Sequence, residues 1–255
     1  MDLQEFLARV PTFTLYLVRV SAWIGTVPFF GSRGDSLVPR VAVAVFASLA
    51  MYLPEHPKLD LGDSVTGLVV VAIREALVGV LLGFALHSFV LMMRVAGEVI
   101  GQEMGFSFAQ VVDPASGQTS PVMAQLLESL VMMLFFALDG HLAVFRVLHG
   151  TFTALPVGGC LDLERAIQGL MALSWQGFHL AVTVAFPIVG AVLVTTVTLL
   201  LLSRALPQFN LMDLGFSLRI LLALVVLGWL LGELAPRIAG EMGRFFVAAG
   251  KVVGS

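Results

Sequence analysis

Residues 97–121, GEVIGQEMGFSFAQVVDPASGQTSP, decide how the rest of the chain is read. Gly97, Gly101 and Gly105 recur every four residues. That spacing sets them on one face of a helix, where a neighbouring helix can approach to backbone distance. Glu98 and Gln102 lie beside that face, also four apart. Phe106, Ser107 and Phe108 follow, and then a turn signal, Asp113-Pro114-Ala115-Ser116-Gly117. Pro121 suits the first turn of a following helix. A partly apolar loop is therefore slung between two apolar helices. Facing lipid, its unpaired backbone groups would each cost several kcal/mol. It must be buried in protein, line an aqueous space, or lie outside the hydrocarbon.

The surrounding composition sets the class. Of 255 residues, 58% are hydrophobic and 12% charged, and the mean hydropathy is +0.98. A soluble domain carries about 25% charge, so an all-α integral membrane protein is expected. A net charge of −3 gives no reason to expect nucleic acid. One cysteine, Cys160, excludes an intramolecular disulfide framework and a multi-cysteine metal site. Asp2, Glu5 and Arg9 interrupt the first ten residues, which argues against a cleaved signal peptide. No hydrophilic domain interrupts the chain, and one membrane domain is expected.

Working outward, about six apolar segments emerge. The first, 12–30, contains Arg19, a costly residue in lipid unless it is paired or faces protein or water. The second, 38–53, is short for a span. The third runs without a breaker from 65 to 105 and would measure about 60 Å as one straight helix. It is either a hairpin bent near His87-Ser88 or a long element that leaves the bilayer. The fourth, 121–148, carries a polar break at Asp139-Gly140-His141. An amphipathic helix over 161–173 precedes a charge-free span over 175–202, which Pro187 should kink. The last span covers 216–234, and the tail from Pro236 onward could lie along an interface. Six spans would put both termini on one side, and a weak excess of Lys and Arg favours the cytoplasm.

Catalytic signatures are missing. The chain has no HExxH, no GxSxG and no phosphate-binding glycine loop. None of its five histidines pairs with another at ligand spacing, so neither an enzyme nor a metal site nor a cofactor is expected. Arg74, Glu75, Glu98, Glu128 and Asp139 remain, charged groups within apolar segments, of which Arg74, Glu75, Glu98 and Asp139 are expected to be buried. They could form a proton or ion relay, pair between helices, or face water because the helices do not lie in lipid. Arg94 and Glu98 can pair within one helix. Besides the row at 97–105, Gly79/Gly83 and Gly228/Gly232 are each four apart, which argues for tight helix packing within the chain or against other subunits. A carrier tends to show two related halves, and no convincing internal repeat is visible.

A series of short motifs resembles the FliR family, the R subunits of the flagellar export gate and their type III secretion counterparts. They are Pro28-Phe29-Phe30-Gly31, Arg74-Glu75-Ala76-Leu77, Met104-Gly105-Phe106-Ser107-Phe108, Asp113-Pro114-Ala115-Ser116-Gly117, Leu138-Asp139-Gly140-His141, Leu155-Pro156-Val157-Gly158 and Pro207-Gln208-Phe209-Asn210. Their order and spacing carry the resemblance, which runs nearly end to end. Phe209 stands where the family often has Met, and Ser217-Leu218-Arg219 where it often has Pro-Lys, which unsettles only the local helix start.

The resemblance implies a single 1–255 domain, with a P-like part (1–173) followed by a Q-like helical hairpin and tail (174–255). It implies assembly with P- and Q-type subunits (FliP, FliQ) into a closed helical gate, much of it standing above the plane of the bacterial inner membrane within the flagellar basal body. A B-type switch subunit (FlhB) docks on that gate, and unfolded flagellar proteins pass through it. The loop after the third segment would plug the pore: residues 106–119, including Phe106, Ser107, Phe108, Asp113, Pro114, Ser116 and Gly117, with Met104 at the edge. A stand-alone ion-coupled carrier is the alternative, and an intramembrane enzyme a third class.

Overall fold

The computed structural model describes residues 3–28, 37–55, 65–105, 122–205 and 211–253. Among these there are seven α-helices and no strand. They are α1 (Leu3–Thr26), α2 (Leu37–Glu55), α3 (Val65–Glu103), α4 (Val122–Ala137), α5 (Gly140–Ala154), α6 (Leu163–Ala205) and α7 (Leu211–Val253). Four of them, α2, α3, α6 and α7, are long and apolar enough to cross a membrane. A fifth span results if α4 and α5 are counted as one broken crossing.

This is fewer spans than the six apolar segments: the first does not qualify, and the fourth is broken into α4 and α5. Glu5, Arg9 and Arg19 make α1 the most polar of the candidates. At the other end of the chain, segments that change character do not change structure. Residues 161–173 and 175–202 differ in polarity, yet no glycine pair or proline divides them, and α6 runs through both as 43 residues. The tail after Pro236 likewise continues the last span as a single helix of 43 residues. Pro187 and Pro236 both lie inside helices. Each removes one backbone hydrogen bond, a loss that neighbouring groups make good in apolar surroundings.

The third segment is one unbroken helix of 39 residues rather than a hairpin at His87-Ser88. It is apolar all round, so hydropathy marks no inner face. Its buried stripe is instead marked by small residues, Gly79, Gly83, Ala85, Ala96 and Gly97, set among Val78, Leu82, Leu86 and Met93. The polar break foreseen at Asp139 is a true interruption. Asp139 sits in the left-handed region (φ 54°, ψ 31°), a conformation that Asp tolerates better than most residues. The chain then restarts as α5, with the Leu142 and Ala143 amides donating to the Asp139 carbonyl.

By contacts, the chain divides into two units. The first comprises Met1–Phe89, Asp139–Ser174 and Gly243–Ser255. Its core draws Leu15, Tyr16, Val20 and Trp23 from one face of α1, together with Leu82 and Leu86 of α3 and Leu148 and Phe152 of α5. Tyr16 stacks on Phe152 at 4.5 Å and meets Tyr52 of α2 edge-on at 5.7 Å. The second unit comprises Val90–Leu138 and Trp175–Met242. Its core includes Met93, Ile100 and Met104 of α3, Leu127, Val131 and Phe135 of α4, and Val184, Ile188 and Leu227 from α6 and α7.

Candidate packing and gating site

Within the second unit, α3 meets α4 through the glycine row. A Cβ on Gly97 would stand 2.6 Å from both the Ala124 Cα and the Met123 carbonyl oxygen. No side chain fits there, and the close approach depends on the missing atom. Gly101 is buried on the same face. Gly105 does something different: with φ 91° it ends the helix, its amide donating to the Gln102 carbonyl at 3.0 Å. A left-handed glycine is the usual terminator of a helix. A Cβ there would also press the Phe216 ring at 3.2 Å. Met104, one residue earlier, is fully buried, its amide bonded to the Ile100 carbonyl. The edge of the 106–119 segment is thus anchored. Phe106, Ser107, Phe108, Asp113, Pro114, Ser116 and Gly117 lie outside the described residues.

The other glycine pairs differ from each other. Gly79 and Gly83 lie in the first unit against α1, where a Cβ would collide with the Arg19 carbonyl oxygen and the Thr26 hydroxyl respectively. Gly228 and Gly232 are exposed, and a Cβ on either meets nothing within 4 Å.

The charged residues separate as well. Glu75 is 2% exposed. Arg74 beside it is exposed, because neighbouring helix positions point about 100° apart and only one can face inward. Asp139 is exposed too: it is the left-handed hinge, and its side chain caps neither helix. Expected burial of these two within the chain is therefore corrected. Glu98 is not buried either: its side chain is 38% exposed and lies 3.4 Å from Arg94, a second nitrogen of which lies 3.9 Å from Glu128. Such partly solvated pairs contribute little.

What sequence reasoning did not find is the partner of Glu75. It is Arg19, fully buried, whose Nε donates to one carboxylate oxygen at 2.5 Å. The other oxygen accepts the Gly158 amide at 2.9 Å. Arg19 Nη1 donates to the carbonyls of Thr151 (3.2 Å) and Leu155 (3.1 Å), at the end of α5. Its guanidinium also lies 4.4 Å from the centre of the Phe152 ring. A cation suits the end of a helix, where carbonyls lack amide partners. Two charges that would each be expensive alone are thus paired and hydrogen-bonded, and they tie α1, α3 and the Leu155–Gly158 turn together. Gly158 adopts φ 84°, which explains a glycine at that turn. Two isolated charges in apolar segments were the only sequence signal; their pairing across 56 positions was not legible. The group is a structural clamp.

Residues 10–245 match the family model described as "Bacterial export proteins, family 1". The chain belongs to this family. Its curated relatives include proteins named "Flagellar biosynthetic protein FliR" from several bacteria. The one from Escherichia coli (strain K12) is 30% identical over 233 residues, covering 91% of this chain and 89% of the relative. That of Pectobacterium carotovorum is 32% identical over 221 residues, covering 86% and 84%. That of Bacillus subtilis (strain 168) is 26% identical over 222 residues, covering 85% of each. With its apolar helices, this member of export family 1 is a multi-pass membrane protein. Its relatives are named as components of flagellar biosynthesis, not as enzymes.

Proposed function

We propose that this chain is a core subunit of the flagellar type III export gate of the bacterial inner membrane, at the flagellar basal body. It works without catalysis or cofactor. It assembles with FliP and FliQ, receives the switch subunit FlhB, and passes unfolded flagellar proteins. The 106–119 segment plugs the conduit while no substrate is present. Residues 1–173 take the P-like place in the assembly and 174–255 the Q-like place.

Membership of the export family and the shared flagellar name of its relatives support the reading. The single observation that carries the plug is the anchored end of α3. There Gly97 packs against α4, Met104 is buried, and Gly105 turns the chain out of the helix. A loop whose root is held this firmly can close a passage reproducibly and yield only beyond the root. The helices outside it need not lie in lipid, because in an assembly their apolar faces meet sister subunits.

Affinity purification of the tagged chain from native membranes tests the assembly. FliP and FliQ are expected to co-purify in a fixed ratio. A lone protomer that drives ion-coupled uptake in vesicles would contradict it and favour a carrier.

A further inference from the structure

Between α2 and α5, both in the first unit, lies a groove that none of the roles above uses. It holds about 880 Å³, within the range of about 300–1,000 Å³ typical of small-molecule sites. Its α2 wall includes Ala42, Phe46 and Ala50, and its α5 wall Leu142, Phe145 and Gly150. Two polar side chains, Arg146 and His149, join the α5 wall. They are three residues apart and therefore neighbours on one helix face. Both are exposed. Among the described residues neither is engaged in an ion pair, and no carboxylate lines the groove.

We propose that this groove binds an anionic phospholipid, with an acyl chain along the α2 wall and the phosphate at Arg146 and His149. The apolar walls take the chain out of water, and the planar fork of Arg146 matches two phosphate oxygens. His149 adds a ring N–H donor. Basic pockets between apolar helices can hold anionic lipid head groups. A docked protein helix is the poorer occupant. It would have to supply and desolvate an acid opposite Arg146, whereas a lipid brings its anion with it. The site is independent of the gating role.

Native mass spectrometry of the detergent-purified full chain tests it, with phosphatidylglycerol and phosphatidylethanolamine as probes. Wild type is expected to retain phosphatidylglycerol about fivefold better, the discrimination that one basic side chain gives near a lipid surface. Arg146→Gln should abolish that preference. Gly150→Leu should lower retention of both lipids. A Cβ at Gly150 meets nothing within 4 Å, and Gly150 lines the groove, so the added side chain starts in open space. Equal retention of the two lipids by wild type, a preference that survives Arg146→Gln, or undiminished binding by Gly150→Leu would each overturn the site. In native membranes, a photo-crosslinker at Phe46 should capture phospholipid. Capture of protein alone would overturn it as well.

Discussion

Gly79/Gly83 and Gly228/Gly232 share one spacing and opposite surroundings. The first pair lies under α1 so closely that any side chain would strike its backbone or the Thr26 side chain. The second pair faces open space. Both are GxxxG in apolar helices, so the motif alone does not say whether its partner helix lies inside the chain. At the first pair, a polar clamp accompanies the close approach. Gly79 lets the Arg19 backbone come near, and one turn earlier Glu75 receives the guanidinium. At the second pair the neighbouring large residues point outward, Leu221, Val225 and Trp229 among them. Exposed apolar surface on this scale marks a face for protein or lipid. A small-residue pair that is sealed by the chain stabilises the protomer; one that is left open is free to meet another chain or lipid.

The clamp is the most damaging place to break the contrast. Glu75→Ala strands Arg19 in a fully buried position, and breaking a buried pair this way costs about 3–5 kcal/mol. Denaturation of the purified chain in detergent should show the loss. Stability equal to wild type would mean that the pair is not the tie between α1, α3 and α5. Next comes Gly83→Leu, which forces α1 and α3 apart at an expected cost of about 1–3 kcal/mol, the usual range for overpacking. The opposite pair should respond with the opposite sign. A Cβ at Gly228 meets nothing within 4 Å, and Gly228→Leu removes a poor helix former, so the isolated chain should gain about 0.5–1 kcal/mol. The same substitution should cut co-purification with sister subunits. If it destabilises the lone chain as Gly83→Leu does, the distinction between sealed and open pairs is wrong.

The sequence showed the helical class and the places where small residues accumulate, because both follow from local composition. The close approach at Gly97 and the break at Asp139 were legible for that reason. Three things were not. A change of polarity near residue 174 resembled a boundary, but polarity does not end a helix when no breaker is present, and α6 continues. Gly105 looked like the third member of a packing row, yet it is the terminator, since spacing does not reveal φ. The partnership of Arg19 with Glu75, and of both with the Leu155–Gly158 turn, joins positions up to 139 apart in the chain. No periodicity encodes that; each charge announced only that it needed a partner. Arg74 shows the complementary error, a charge in an apolar run that simply points outward.

In the proposed gate, the segment rooted at Met104 and Gly105 closes a conduit. Single-channel recording of the purified assembled gate in a planar bilayer, intact and with residues 106–119 deleted, tests it directly. The intact gate should stay electrically silent and the deletion should conduct small ions steadily. A deletion variant that assembles fully and remains as silent as the intact gate would contradict the account.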